Sequence, residues 1–305
     1  MRTIHCDNRA EWLAERRRHV MSSDAATIVG ARDAGLLALY AEKIGEFERD
    51  DSRFDQDALQ AGKRFQLPVA QWWAEIERAE IIEMGEFTIL ESEEHPFIGC
   101  TLDFIVKHPR FDDHGVLEIK YWNAGAAKMF AKGAIPAAER AQVCHQMLAT
   151  GARFGFLAVV IGGKKPLSRL IEADPIELDA MLAAERAFWR QVERREPPTA
   201  SGADDDTAYL LQGVGSGTPE FPVDLGANMA EVFDQAKIEG AAARQHEARA
   251  KSLRNQFVQA IGEANVAVLP DGRRIRCRRI DVAERDQHVS ASHYYRLDPI
   301  KETRK

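Results

Sequence analysis

The residue types best suited to chemistry are Asp103, Glu118 and Lys120, which lie in two runs of strand-forming residues. A turn-forming stretch, residues 112–115, separates the runs and predicts two antiparallel strands that bring both carboxylates together. Glu118 and Lys120 share one side of their strand, whereas Ile119 faces the core. Carboxylates suit a hard cation such as Mg²⁺, and the amine can hold or polarise water, so the set suits hydrolysis of a phosphodiester.

Three longer motifs accompany this set in a collinear order. They are Val20-Met-Ser-Ser-Asp-Ala-Ala-Thr-Ile-Val-Gly30, Ala61-Gly-Lys-Arg-Phe-Gln-Leu-Pro68 and Gln142-Val-Cys-His-Gln-Met-Leu-Ala-Thr-Gly151. Together with Asp103 and Glu118-Ile-Lys120, they resemble the YqaJ-type viral recombinase or phage lambda exonuclease-like family of the PD-(D/E)XK nuclease superfamily. The resemblance extends over about residues 9 to 198.

The resemblance implies a role for each residue of the central set. Asp103 and Glu118 would ligate Mg²⁺, for which Mn²⁺ can substitute, and the Ile119 carbonyl would add a third oxygen ligand. Lys120 would activate water or contact the phosphate, and Gln142 would orient the water or the scissile phosphate. A solvent-facing position on its helix remains the alternative for Gln142.

One position departs from the family pattern. Gln66 stands where the second motif of the family has a glutamate, which by resemblance helps to hold the metal or its water shell. An amide keeps an oxygen acceptor but lacks the charge, so a second Mg²⁺ should be weakened more than the first. One-metal and two-metal mechanisms both stay open, with Gln66 as a candidate support for the second metal.

A basic residue and two hydroxyls near the first motif indicate an anion site. Arg16 lies seven residues before Ser23, the spacing of a 5′-phosphate pocket in the family, and Thr101 stands where the family often has another hydroxyl. A guanidinium and a hydroxyl at a helix start form a sound phosphate site. An ordinary basic helix end is the alternative, because Arg17 and Arg18 adjoin Arg16.

The pattern of elements predicts an α/β fold with a restriction-endonuclease-like core, a central mixed sheet flanked by helices. Helices are expected near 9–19, 23–29, 34–48, 56–79, 124–131, 136–150 and 175–195. Strands are expected near 80–91, 97–107, 114–121, 154–161 and 167–173. Pro68 should kink or split its helix.

The chain is predicted to have three parts. Residues 1–198 would be the nuclease domain, and 199–225, rich in Pro, Gly, Ser and Asp, a linker. Residues 226–305 would be a basic accessory module, with a long helix or helix pair over about 226–264. A β-hairpin follows in this prediction, and a last strand is expected over 290–297.

Charge is unevenly distributed along the 305 residues. The net charge is −7, yet residues 236–305 carry fifteen Lys/Arg and nine Asp/Glu, a balance of +6 that leaves −13 for the rest. The basic residues Arg274, Arg276 and Arg278 alternate with Ile275 and Cys277, which predicts a strand with one cationic face. Two interpretations of the cationic face stay open. It either contacts the backbone of a DNA duplex or protects an exposed edge strand from pairing with other chains.

Composition excludes several classes of protein. Four scattered cysteines without a Cys-x-x-Cys pair argue against a structural zinc, an iron–sulfur cluster or a disulfide framework, and predict free thiols. Residues 1–20 lack an apolar signal region, and no run approaches the length of a membrane span. The expected location is the cytoplasm of a bacterial or phage-infected cell, without membrane association.

The leading hypothesis is a Mg²⁺-dependent nuclease that digests double-stranded DNA from the 5′ end and leaves 3′ single strands for recombination. A single-strand annealing recombinase would then be a partner, and the resemblance suggests a homotrimer. The alternatives are an endonuclease of the same fold and a non-catalytic DNA-end-binding protein, the latter favoured by Gln66 alone.

Overall fold

The computed structural model describes residues 1–48, 56–122, 130–213, 226–282 and 292–300. The chain divides into two compact units, Met1–Thr218 and Pro219–Lys305. In chain order, the elements of the first unit are β1 (Arg2–His5), α1 (Arg9–Arg16), β2 (Val20–Met21), α2 (Ser22–Ile28), α3 (Leu36–Lys43), α4 (Gln56–Glu77), β3 (Glu80–Glu83), β4 (Thr88–Glu91), β5 (Ile98–Cys100), β6 (Phe104–Lys107), β7 (His114–Trp122), α5 (Ala137–Thr150), β8 (Phe154–Ile161), β9 (Leu167–Glu172), α6 (Pro175–Arg194) and α7 (Asp204–Gly213).

A five-stranded mixed sheet forms the centre of this unit, in the order β3-β6-β7-β8-β9. β7 and β8 pair in parallel, and the other neighbours pair antiparallel. A parallel pair needs a crossover connection, and α5 lies in the one between β7 and β8. The predicted restriction-endonuclease-like core of a mixed sheet flanked by helices is confirmed.

The two faces of this sheet bury separate cores. Val116 on β7 packs with α5 and α6, whereas its neighbours Leu117 and Ile119 pack with α4 around the buried Trp73. This alternation follows from the twofold period of a strand, which sends successive side chains to opposite faces. Residues 116, 118 and 120 therefore face α5, and residues 117, 119 and 121 face α4.

A second, four-stranded sheet has the order β1-β4-β5-β2. The short β2 pairs in parallel with β5 and leads directly into α2. Because β5 ends three residues before Asp103, this sheet sets the position of the loop that carries the carboxylate.

The helices that flank the sheet have well-defined ends. α6 begins after Asp174, whose side chain accepts a hydrogen bond from the Ile176 N–H, with proline at the first helical position. α5 ends at Gly151, which adopts φ of 75°, a left-handed conformation in which glycine avoids the strain of a Cβ. α4 runs unbroken through Pro68, so this proline does not split the helix.

Some predicted elements differ from those observed. The expected strand over 80–91 is two strands, β3 and β4, which belong to different sheets. The expected helix near 124–131 falls largely on 123–129, outside the described residues, and a short 3₁₀-helix occupies Phe130–Lys132.

The predicted linker, 199–225, is corrected in part, because α7 lies within it and packs on α3. The buried Asp206 accepts hydrogen bonds from the Ala38 N–H and from the backbone and hydroxyl of Ser201. A Cβ at Gly35 would collide with Asp206, so the start of α3 and α7 are in close contact. Residues 214–225 of the predicted linker lie outside the described residues.

The second unit contains α8 (Ala227–Ile261), β10 (Val266–Val268), β11 (Arg274–Val282) and β12 (Ser292–Ile300). α8 continues through Gly240 as one helix, and the three strands form an antiparallel sheet in the order β10-β11-β12. This confirms the predicted helix-plus-hairpin composition. No helix in the described ranges is long and apolar enough to span a membrane.

Candidate active site

The pairing of β6 with β7 brings Asp103 beside Glu118. Phe104 pairs with Leu117, so Asp103, one residue before β6, lies opposite Glu118 at the end of the antiparallel ladder. The Ile119 N–H donates a hydrogen bond of 2.8 Å to Asp103 Oδ2 and fixes the carboxylate there. Asp103 is in the loop between β5 and β6, not within a strand as expected from the sequence.

Glu118 is only 3% exposed, yet it is fully hydrogen-bonded. Its Oε1 accepts from Gln142 Nε2 at 2.7 Å and lies 2.6 Å from Lys120 Nζ. Its Oε2 accepts from Gln146 Nε2 at 2.7 Å. Lys120 Nζ also donates to Gln142 Oε1 at 3.0 Å, so these side chains form one closed network.

The two glutamines reach Glu118 because they lie four residues apart on one face of α5. The structure excludes the solvent-facing alternative for Gln142, and it adds Gln146, which the sequence analysis did not include among the site residues. The spacing of four was the available signal for Gln146. Its Oε1 atom is buried and has no hydrogen-bond partner.

The carboxylates of Asp103 and Glu118 lie close enough to repel each other. Burial and the neighbouring Glu118 raise the pKa of Asp103 to about 8, although the Ile119 N–H, Lys120 and Gln66 act against this shift. Burial lowers the pKa of Lys120, but Glu118 and Asp103 outweigh it and raise that pKa above its usual value. One ammonium thus faces two carboxylates, and a further positive charge would be favourable here.

The donors of this cluster fit a hard cation held mainly by oxygen. Mg²⁺ in proteins is often held by one or two carboxylates and keeps several waters, which matches Asp103 and Glu118 with the Ile119 carbonyl as a possible third oxygen. The Gln66 side chain lies near enough to the Asp103 carboxylate to lower its pKa, so the residue that departs from the family pattern lies at the site. Among the described residues, no group of three or more His, Cys, Asp or Glu side chains could hold a metal.

The predicted anion-site residues also come together. Arg16 Nη2 donates to Ser23 Oγ at 2.8 Å, and the Arg16 guanidinium lies 4.5 Å from the centroid of the Trp12 ring. Trp12 Nε1 in turn donates to Thr101 Oγ1 at 3.2 Å. Ser23 is exposed and Arg16 half-buried, and Thr101 lies two residues before Asp103.

A buried ion pair beneath this cluster holds α2 in place. Asp24 Oδ2 lies 2.6 Å from Lys43 Nζ and accepts from the Met21 N–H at 2.9 Å. Burial raises the pKa of Asp24, but Lys43 and Arg16 more than offset this and leave it below its usual value. Asp24 is thus structural, as expected, and its partner Lys43 was not identifiable from sequence spacing.

A second buried pair joins α5 to α6. His145 Nδ1 lies 2.7 Å from Glu185 Oε1, and His145 Nε2 lies 2.9 Å from the Gly99 carbonyl. Burial lowers the pKa of His145, but Glu185 and the Gly99 carbonyl raise it above its ordinary value. With an acceptor at each ring nitrogen, the doubly protonated imidazolium satisfies both contacts.

The basic strand of the second unit has the two faces that its sequence predicts. Arg274, Arg276 and Arg278 are exposed, Ile275 is half-buried and Cys277 is buried. The four cysteines of the chain are free, as predicted.

Comparison with known proteins agrees with this fold and these motifs. Residues 11–153 match the family model of the YqaJ-like viral recombinase domain. The uncharacterized protein YqaJ of Bacillus subtilis is 26% identical over 261 residues, which cover 84% of this chain and 79% of that protein.

Solved structures of one enzyme share the fold. The alkaline exonuclease LHK-Exo from Laribacter hongkongensis superposes with a TM-score of 0.50 and 17% identity, over 62% of this chain and 94% of that chain. Its complex with dAMP gives the same TM-score at 18% identity. Residues 11–153 of this chain are therefore similar to the YqaJ-like viral recombinase domain, in agreement with the resemblance that the sequence motifs indicate.

Proposed function

We propose that this protein is a Mg²⁺-dependent deoxyribonuclease that hydrolyses phosphodiester bonds of double-stranded DNA. The observation that carries the proposal is the closed network in which Glu118 contacts Lys120 and Gln142 beside the Asp103 carboxylate. The match of residues 11–153 to the YqaJ-like viral recombinase domain and the fold shared with an alkaline exonuclease support it.

Asp103, Glu118 and the Ile119 carbonyl would hold the metal. When bound, Mg²⁺ supplies charge stabilisation at the phosphate and favours deprotonation of the attacking water. A bound cation would favour the ionised form of both carboxylates, and the two ionised carboxylates would then provide the affinity for it. Gln66, a neutral acceptor in contact with Asp103, supports a second metal less well than a carboxylate would.

Lys120 and Gln142 would act on the water and the phosphate. In the protein without metal, Glu118 and Asp103 raise the pKa of Lys120 and keep it an ammonium, which would donate hydrogen bonds and stabilise negative charge. Gln142 accepts from Lys120 and donates to Glu118, and it thereby keeps both at fixed positions.

The proposed mode of attack is exonucleolytic, from the 5′ end. A terminal phosphate could take the guanidinium of Arg16 and the hydroxyls of Ser23 and Thr101 as hydrogen-bond donors. Arg16 and Ser23 contact each other, so two of the proposed donors lie side by side before any DNA is bound. Products with 3′ single strands would suit a single-strand annealing recombinase as a partner, and a homotrimer remains the proposed assembly.

The second unit is proposed to contribute duplex affinity through Arg274, Arg276 and Arg278. These side chains project from one exposed strand face, and contacts to phosphates would be independent of DNA sequence.

The test compares linear and covalently closed circular plasmid DNA, with Mg²⁺ and with EDTA. Progressive loss of linear DNA in Mg²⁺, with the circle intact, is the expected result. Nicking or linearisation of the circle would favour an endonuclease. Binding to linear ends without any cleavage would favour a non-catalytic end-binding protein.

A further inference from the structure

The long helix α8 of the second unit leaves large apolar side chains in contact with solvent. Most of the described side chains along its 35 residues are exposed, and Met229 and Phe233 expose 40% and 64% of their surface. Helices in proteins gain most of their stability by burying an apolar face, not from helix propensity. A helix of about 52 Å with little of its surface buried is therefore expected to pack against a partner.

The apolar residues of α8 follow the alternating spacing of four and three residues that is typical of paired helices. We call the positions with this spacing the α8 stripe, and they are Met229, Phe233, Ala236, Gly240, Ala243, Glu247, Ala250, Arg254, Phe257 and Ile261. The large side chains lie at the two ends of the stripe and the small ones near its middle. Large therefore meets large, and small meets small, when two such helices pack side by side in either direction.

The charges of α8 distinguish between the two directions. Residues 227–243 contain three acidic side chains and one basic side chain, whereas residues 244–261 contain one acidic and four basic ones. In a parallel pair, each half of the helix would meet a half of the same charge. In an antiparallel pair, the acidic half of each helix meets the basic half of the other, which is favourable.

We propose that α8 packs through the α8 stripe against α8 of a second copy of this chain, in the antiparallel direction. A second copy fits because the surface is complementary to itself about a twofold axis, with opposite charges reciprocally matched. The axis would lie near residue 245, the midpoint between Met229 and Ile261. The inference goes beyond the proposed nuclease function and does not depend on it.

The first test measures the mass of the full chain by light scattering at micromolar concentration. Met229→Gln combined with Phe233→Gln removes two large side chains from one end of the stripe. This variant should have about half the mass of the wild type, because a twofold contact joins two copies. The ratio of the two masses is the readout, so the test holds also if the protein forms the proposed homotrimer.

Ile238→Gln is the matched control for this test. Ile238 is 61% exposed, and it lies nine residues, or two and a half turns, after Met229. It therefore projects from the side of α8 opposite to the stripe. This variant should keep the mass of the wild type.

The second test determines the direction with a short bismaleimide cross-linker. In the antiparallel pair, the two copies of residue 243 lie close to the axis, so Ala243→Cys should give a covalent dimer. The two copies of residue 236 would be about 27 Å apart along the helix, so Ala236→Cys should give none. The wild type serves as the background control, since its four cysteines are free.

An unchanged mass in the variant with both glutamines would overturn the proposal. An equal loss of mass in Ile238→Gln would also overturn it and indicate a general apolar contact. Cross-linking at residue 236 as efficient as at residue 243, or at neither residue, would contradict the antiparallel pair. If circular dichroism shows that the double variant has lost helix, the two cysteine variants, which keep small side chains, decide the matter alone.

Discussion

Helix α5 contacts two buried carboxylates that are balanced in different ways. Glu185, fully buried, pairs with His145, whose second ring nitrogen meets a backbone carbonyl. Glu118, almost as deeply buried, shares its ammonium partner Lys120 with a second carboxylate, Asp103. One pair is neutral within itself, whereas the other cluster has one ammonium for two carboxyl groups.

This difference distinguishes a structural ion pair from a candidate functional site. A buried carboxylate matched one to one by a cation has no excess charge to balance, and its removal mainly costs stability. In the cluster of Asp103, Glu118 and Lys120, the pKa of Asp103 is raised to about 8. Its ionised form is therefore unfavourable without a further cation, and a bound cation would stabilise it. Helix α5 thus carries His145, which anchors it to α6, and also Gln142 and Gln146, which lie one turn apart at the candidate active site.

The largest expected effect comes from the unbalanced cluster. Glu118→Gln should slow single-turnover cleavage by about a thousandfold or more, because it removes a metal ligand. The Oε1 acceptor remains for Gln142 and Lys120, and Gln146 can turn its amide so that its unpartnered Oε1 accepts from the new amide, so the melting temperature should change little. Glu185→Gln is the matched control, and it should lower stability while the folded protein still cleaves. Near-normal digestion of linear duplex by Glu118→Gln would show that Glu118 is not part of the active site.

The next largest effect concerns the balanced pair. His145→Ala should lower the free energy of unfolding by about 3–5 kcal/mol, because it leaves Glu185 buried without a cation. Chemical denaturation measures this change. A loss well below 1 kcal/mol would show that water reaches Glu185 and that the pair is not an anchor.

The stability that this pair contributes should depend on pH. The folded pKa of His145 lies above its ordinary value of 6.5, so the contribution is complete below that pH and is lost as pH rises through the folded pKa. The unfolding free energies of wild type and Glu185→Gln should therefore differ most near pH 6 and converge at alkaline pH. A constant difference across this range would contradict an ionised pair.

A smaller effect is expected at the anion pocket. The wild type should digest 5′-phosphorylated ends faster than 5′-hydroxyl ends, and Arg16→Ala should reduce that preference by about tenfold. Arg18→Ala is the matched control, since Arg18 is exposed and pairs with Glu15. Equal wild-type rates on both ends would remove the pocket and favour the endonuclease alternative.

The smallest effect is expected at Gln66. Gln66→Glu adds a carboxylate beside Asp103 and should tighten Mg²⁺ or Mn²⁺ binding by about three- to tenfold in titration calorimetry. Gln71→Glu, at an exposed position of the same helix, controls for a general change in charge. Unchanged or weaker metal binding would show that residue 66 does not support the metal.

Much of the candidate site follows from local spacing. The interval between Glu118 and Lys120 places both on one strand face, and four residues separate Gln142 from Gln146 on one helix face. The contact of Arg16 with Ser23 follows the family spacing.

Other features depend on distant partners. Lys43 and Asp24 come from different helices, as do His145 and Glu185, and no local period relates their positions. The helix α7 lies in a stretch of linker-like composition, and it is held by contacts of Asp206 with a residue 168 positions away. Composition describes the preference of a segment by itself, whereas packing against α3 decides its conformation.

The sequence by itself therefore determined the residue types of the site, the faces on which they lie and the similarity of residues 11–153 to the YqaJ-like viral recombinase domain. Only the tertiary structure decided the burial of Glu118, the hydrogen bonds that it accepts from two glutamines, and the stacking of Phe65 on Tyr121. The physical reason is that strand and helix periods depend on neighbouring residues alone. Burial and the choice of charge partner depend on which distant segments pack together.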